Sequence, residues 1–517
     1  MKRISIIAAA LACVFSVAQA KVTLPSVIGS NMVLQRNTDV NLWGKAEANK
    51  KVKITASWTK EKFTATTDKD GNWATTIPTV DAGGPYTLTF DDGEKTELTN
   101  ILLGEVWVCS GQSNMEMPVG GYMYQPVDGA LEHIKEAYKY DDIRMFTVPR
   151  CTSNTPKEDC DTMWRESSPM TVRTFSAAAY FFGKELQKML NVPVGLITAN
   201  WGGTRIEAWM SKEALDAVKS RNVDFDKKYR GPNSNNVLYN GMISPINKFT
   251  AKGFIWYQGC ANRYNWFDYA KLQKSMIERW RKDWGNDKMP FYFVQIAPYC
   301  YEGHKLRGTA VFVDEQWKCA DEVENCDIVC TTDIGDFALI HPAGKDKVGQ
   351  RLANLALTND YGIEGLPAKY PRFKSFEKKG NKLVLSFSNM SRANNFDVAD
   401  PTQQDCFNAR ERAKGFEVAG ADKKFYPAQA NHVWCRNTIE VWSDSVAEPV
   451  AVRYAYQNYS FEANVKTLLG LPSPLSAATT GRLRTWESSN IHPFMPCRLK
   501  FTGHNFSNSR EVKSFAI

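Results

Sequence analysis

The sequence predicts an α/β protein: a parallel sheet flanked by helices, with a β-sandwich before it and a second β domain after it. Three observations carry this expectation. Over residues 101–365 short apolar runs alternate with stretches of helical periodicity, the rhythm of strand–helix–strand units whose parallel strands are buried on both faces. Over 21–100 and 366–480 the runs are shorter, alternate apolar with polar positions and are separated by turn residues, as half-buried strands are. The 517 residues, 43% hydrophobic and 12% aromatic, suffice for about three domains of ordinary size and exclude a disordered or collagen-like chain.

Each element follows in order. Lys2 and Arg3 precede an apolar stretch at 4–17 that ends in Ala18-Gln19-Ala20, the pattern of a secretory signal peptide over 1–20 with cleavage before Lys21. A lipoprotein reading through Cys13 has a weak motif and shortens the apolar stretch. Export to the periplasm or the extracellular space is therefore expected. No later stretch has the 18 apolar residues of a membrane span. The sandwich over 21–100 rests on runs at 39–43 and 52–58 and on turns at 68–71 and 83–85. Central strands are expected at 105–109, 194–199, 253–257, 290–296 and 327–331. Helices are expected at 269–284, where Leu272, Met276, Trp280 and Trp284 recur at helical spacing, and at 347–357. The second β domain shows strands at 382–387, 439–442 and 450–454. The extension at 481–517 is basic and unpatterned, and no role is assigned to it.

The net charge of +8 comes from scattered residues without a basic run, which excludes a nucleic-acid role. Eleven cysteines follow the leader, an odd number, in what export makes an oxidising setting. Cys151 and Cys160 flank a short polar segment and are expected to bridge; Cys406 with Cys435 is a looser pairing. Cys326 and Cys330 lie in a strand-like run whose neighbouring side chains alternate faces, and the nearest histidine is His341, so a structural role outweighs a zinc site.

In an α/β sheet, ligands bind beyond the carboxyl ends of the strands. Four segments fall there. Gly-Gln-Ser-Asn at 111–114 places Ser113 at the start of a helix, next to backbone N–H groups that can face an oxyanion. Asn-Trp-Gly-Gly-Thr-Arg at 200–205 lets the backbone approach a ligand closely at Gly202 and Gly203, one of which could donate a further N–H, or it forms a tight strand-to-helix turn. Gln258 and Asn262 bring side-chain amides, and Trp256, Tyr257, Tyr264 and Trp266 bring aromatic surface suited to a sugar, although most of these rings suit a core equally. His341 follows a strand and precedes a helix, and it is the one histidine of six with an acid nearby in that setting, which makes it the candidate general base. A second Ile-His-Pro at 491–493 lies far outside the sheet region.

Taken together these segments resemble the sialate O-acetylesterase family of the SGNH-hydrolase superfamily. The resemblance is carried by Gly-Gln-Ser-Asn-Met at 111–115, Gly-Gly-Thr-x-Ile-Glu-Ala-Trp at 202–209, Tyr-Asn-Gly-Met-Ile at 239–243, Trp-Tyr-Gln-Gly at 256–259, and Ile-His-Pro at 340–342 followed by Lys345 and Arg351-Leu352-Ala353. It extends through 414–421 and 452–456, spanning 22–474. It implies a serine esterase that removes O-acetyl groups from sugars without a metal or organic cofactor. Ser113 would be the nucleophile and His341 its base. The oxyanion would lie against the N–H groups of Ser113 and Gly203, helped by Gln258 or Asn262. A sialic acid carboxylate would need a cation, for which Arg205 and Arg263 are candidates, with Trp256 and Tyr257 beside the sugar.

Two departures stand out. The acid of such a triad usually lies three residues before the histidine, where this chain has Ala338. Asp336 is the expected orienting group, with Asp333 or a backbone carbonyl as alternatives. Many relatives carry Glu after Trp-Tyr-Gln-Gly, where this chain has Cys260. These departures keep a non-catalytic carbohydrate-binding protein as a second reading, and acetylated plant polysaccharides such as xylan as alternative substrates. A thiol nucleophile at Cys109 or Cys260 has no adjacent histidine in the sequence to support it.

Overall fold

Strands buried on both faces explain the centre of the molecule. The strand Gly253–Tyr257 sends Phe254 and Trp256 to one side and Ile255 and Tyr257 to the other, as a period of two requires. Each side is covered by helices: Tyr269–Asp283 packs with Gly308–Glu322 on the first, and Ala177–Leu190 with Lys345–Asp360 on the second. The architecture is that of an SGNH-like α/β fold. The computed structural model describes residues 21–219, 229–390, 395–397, 412–433 and 437–479. The signal peptide expected at 1–20, the extension at 481–517 and the Cys406–Cys435 pair lie outside the described residues.

Across the sheet the parallel strands run Cys326–Val329, Phe291–Val294, Gly253–Tyr257, Lys95–Gly111, Val194–Asn200 and Ile143–Thr147, with the short antiparallel Arg165–Glu166 at the edge. The first of these in sequence, Lys95–Gly111, lies between the third and the fourth. Chain order therefore reverses beside it, and its carboxyl end is the switch point where a doubly wound sheet opens a crevice. All five expected strands are present; Ile143–Thr147 was not foreseen.

The boundary expected at residue 100 is crossed by one strand. Lys95–Gly111 is 17 residues long; its first half pairs antiparallel with Gly83–Asp91 and its second half enters the parallel sheet. Asn100 sits at φ +56 within it, a conformation that asparagine tolerates better than most residues. The antiparallel pair Asp39–Lys45 and Asn72–Pro78 packs on this layer through Trp73 against Phe90. After the central sheet come a five-stranded and a four-stranded antiparallel sheet, together with the pair Phe396–Asp397 and Lys466–Thr467. Asn458 ties this region to the centre by accepting from Thr309 N–H and donating to the carbonyl of Gly303.

Cys151 and Cys160, expected to bridge, are free thiols. The segment between them is anchored without a cross-link: Asp159 accepts from Ser26 N–H, Lys157 N–H donates to the carbonyl of Asn240, and Ser153 N–H to that of Val237. Burial and the flanking Asp159 and Asp161 push the Cys160 thiol up to about 12. Among the described residues no helix is long and apolar enough to cross a membrane.

Candidate active site

The long strand ends at Gly111, where φ is +146 and a Cβ would stand 2.3 Å from the carbonyl oxygen of Tyr257. Only glycine lets two parallel strands stay this close while the chain turns. Gln112 then closes the crevice floor: its N–H donates to that same carbonyl and its Oε1 accepts from Gly259 N–H at 3.1 Å. Ser113 opens a single helical turn, Ser113–Glu116.

His341 Nε2 lies 2.8 Å from Ser113 Oγ, bringing together two residues 228 positions apart. Its other ring nitrogen, Nδ1, lies 2.7 Å from Oε1 of Gln125. An amide oxygen only accepts, so this bond keeps the proton on Nδ1 and turns the Nε2 lone pair toward the serine hydroxyl. Tyr122 sets its ring edge-on to the imidazole at 5.2 Å, and its hydroxyl donates to the carbonyl of Ser113. Burial first, and then the charge of Lys345, lower the imidazole pKa to about 4.

Lys345 is itself fully buried, and burial lowers its pKa to about 7. Its ammonium donates to Asn114 Oδ1 at 2.8 Å and to the carbonyl of Pro342 at 2.7 Å, while Asn114 Nδ2 donates to the carbonyl of Ile340. The residue after the serine and the residues on both sides of the histidine are thus held by one lysine and one amide. Glu116, paired with Arg150, accepts from Gly202 N–H at 2.9 Å and holds the glycine turn against Ser113. A Cβ on Gly202 would stand 3.1 Å from that of Ser113. Gly203 follows at φ +71. Among the described residues no acceptor meets the N–H of Ser113 or of Gly203.

Several expected site residues lie elsewhere. Asp336 does not orient His341: its carboxylate accepts from the N–H groups of Ala338 and Leu339 and shapes the turn that leads to the histidine. Asp333 is paired with Arg351. Gln258 and Asn262 cannot serve an oxyanion as placed. The Gln258 amide donates to the carbonyl of Thr204 and to Asn262 Oδ1, and that of Asn262 to Glu207, all within the buried support of the 201–209 turn. Arg205, 1% exposed, pairs with Glu207 and donates to the carbonyl of Asn233, so it does not face a ligand. Trp256 and Tyr257 are core residues, since a central strand of a doubly covered sheet has no solvent face. Arg263 is buried against Tyr301 and paired with Glu302. Cys260 accepts from the Tyr301 hydroxyl, and burial pushes its thiol up, away from thiolate chemistry. Cys326 begins the edge strand, and no His/Cys/Asp/Glu group fit to hold a metal occurs among the described residues.

Gln125 and Tyr122 were missed. Their signal is faint, an aromatic-rich, irregular stretch that directly follows the serine motif, and the group facing the histidine is an amide where such a triad usually has an acid.

An SGNH-like sheet with a serine and a histidine in contact beyond its switch point is the architecture of a hydrolase. The family profile described as "Carbohydrate esterase, sialic acid-specific acetylesterase" matches residues 103–358. A crystal structure of a carbohydrate acetylesterase from Xanthomonas citri superposes with a TM-score of 0.78 at 31% identity, covering 89% of this chain and all of that one. Sialate O-acetylesterase of Mus musculus is 26% identical over 87% of this chain and 93% of its own length, and that of Homo sapiens 27% identical over 84% and 88%. The chain belongs to this carbohydrate esterase family and is an ester hydrolase with carbohydrate O-acetylesterase function.

Proposed function

We propose that the protein is an exported serine esterase that removes O-acetyl groups from sugars, sialic acids foremost, through an acetyl-enzyme on Ser113. The observation that carries this reading is the chain Ser113 Oγ, His341 Nε2, His341 Nδ1, Gln125 Oε1, with contacts of 2.8 and 2.7 Å. His341 takes the hydroxyl proton as Oγ attacks the acetyl carbonyl, and the negative oxygen that forms faces the N–H groups of Ser113 and Gly203. When the tetrahedral adduct collapses, the C–O bond to the sugar breaks and His341 hands its proton to the departing oxygen. Water, deprotonated by the same nitrogen, then releases acetate and restores the serine.

Gln125 supplies orientation and the tautomer but no charge, so the imidazolium is less stabilised than beside a carboxylate. The name shared by the mammalian relatives, and the acetylesterase title of the bacterial one, support an O-acetylated sugar as substrate. The pattern of Lys2, Arg3, the apolar stretch and Ala18-Gln19-Ala20 supports export. The test is acetate release by the mature chain from O-acetylated sialic acid and from acetylated xylo-oligosaccharides, with Ser113→Ala beside it. Release that falls by about 10⁴-fold or more in the variant is expected, because the covalent step is lost. Substantial turnover by Ser113→Ala would remove the nucleophile from this mechanism, and preference for the xylo-oligosaccharide would move the substrate to plant polysaccharides.

A further inference from the structure

The turn that carries Gln125 has a second feature. Tyr122 and Gln125 exchange both backbone hydrogen bonds, at 2.9 and 3.0 Å, and so bracket a two-residue turn formed by Met123 and Tyr124. Both ends of the turn touch His341, one through the Tyr122 ring and one through the Gln125 amide. The tip points to solvent: Met123 is 79% exposed and Tyr124 89%. Tyr124 also sits at φ +60, a region that glycine or asparagine occupies readily and a bulky aromatic residue rarely does. Neither burial nor backbone preference accounts for a tyrosine there.

Its position relative to the chemistry is fixed by the chain. The Cα of Tyr124 is one residue, about 3.8 Å, from that of Gln125. In a serine esterase the group that receives the proton from the histidine is the alcohol half of the ester, so the leaving sugar must sit on the His341 side of Ser113. The turn at 122–125 lies on that side. A pyranose ring presents a face of C–H groups, and an exposed aromatic ring with one polar tip is suited to cover that face while meeting its hydroxyls.

We propose that the Met123–Tyr124 turn is a subsite for the sugar that leaves, with Tyr124 packing on one face of the pyranose ring. This rests on the reading of the substrate as an O-acetylated sugar, but it concerns the alcohol half of the ester and not the acetyl half. Tyr124 is thereby a specificity residue. It discriminates sugar esters from small esters through KM, and it leaves proton transfer to His341.

The test compares the wild type with Tyr124→Ala, Tyr124→Phe and Tyr124→Gly. Steady-state kinetics are run on an acetylated xylo-oligosaccharide, on O-acetylated sialic acid and on ethyl acetate, whose alcohol has no ring face for Tyr124 to cover. The expected result is that Tyr124→Ala lowers kcat/KM for a sugar ester at least tenfold more than for ethyl acetate, with the loss in KM, and that Tyr124→Phe restores most of it. Tyr124→Gly should lose the same discrimination while its Tm stays level or rises, since glycine fits φ +60; a purely structural tyrosine would instead lower Tm. Equal losses on sugar and ethyl acetate, or unchanged sugar kinetics, overturn the proposal. Binding of the deacetylated oligosaccharides to Ser113→Ala by calorimetry separates the two readings. If the wild type releases no acetate from sugars, the substrate reading fails. The subsite then still stands if binding depends on Tyr124, and falls if it does not.

Discussion

An amide in the place where an acid was expected changes what each residue of the site can do. Gln125→Ala removes the only acceptor on His341 Nδ1 recorded among the described residues and frees the ring to change tautomer. The expected loss in kcat is about 10²- to 10⁴-fold, the scale seen when a triad histidine loses its orienting partner. Asp336→Asn keeps an oxygen for the N–H groups of Ala338 and Leu339 and should cost little, so the reverse order in acetate-release kinetics would return the orienting role to Asp336. The pH dependence follows from the buried imidazole. A general base works only when neutral, and the His341 pKa of about 4 places the fall of kcat/KM below about pH 4, with a plateau above it. Lys345, lowered to about 7, is charged throughout that acid range and opposes protonation of the histidine. Lys345→Met should therefore move the acid limb to higher pH, whatever it does to the height of the plateau. A limb that stays in place would show that burial alone lowers the imidazole.

At the scale of elements, the strand ends were legible because a strand covered on both faces must be apolar at every position, which short uninterrupted runs reveal. The helix at 269–283 was legible through its period, and the serine and histidine motifs through their places beyond strand ends. The same physics, carried one step further, also buries Trp256 and Tyr257, so these rings pack in the core and not beside a sugar. Gln125 stayed hidden because a neutral side chain in an irregular turn has no periodicity and no charge pattern, and its contact with His341 spans 216 residues. Gly111 gives the element scale its test. Alanine there would carry a Cβ into the Tyr257 carbonyl at an unfavourable φ, pushing the nucleophile strand away from Gly253–Tyr257. A loss on the order of 2–4 kcal/mol in urea unfolding is expected, with a fall in kcat as Ser113 shifts. Unchanged stability and turnover would show that the strand ends can relax without moving the site.

The whole molecule is bound together where the sequence suggested a boundary. Glu105, 3% exposed, lies in the middle of the strand shared by the first β layer and the central sheet. Its carboxylate accepts from Arg36 at 2.7 Å and Gln35 at 2.9 Å on the N-terminal side, and from the hydroxyl of Tyr361, just beyond the helix Lys345–Asp360, at 2.9 Å. Gln35 also accepts from Val106 N–H. One buried charge therefore joins the start of the described chain to the end of the helix that follows His341, and its cation comes from the β layer. Arg36→Met keeps the length of the stem and removes that cation. Breaking a buried pair from one side can cost about 3–5 kcal/mol, and the partial exposure of Arg36 reduces the expected loss to about 2 kcal/mol. The loss should appear in a single transition, because the strand Lys95–Gly111 pairs with both layers and cannot leave one without loosening the other. Urea unfolding followed in parallel by far-ultraviolet circular dichroism, tryptophan fluorescence and acetate release should give coincident curves that shift together in the variant. Activity that survives an earlier transition would instead make the first β layer a domain that folds on its own.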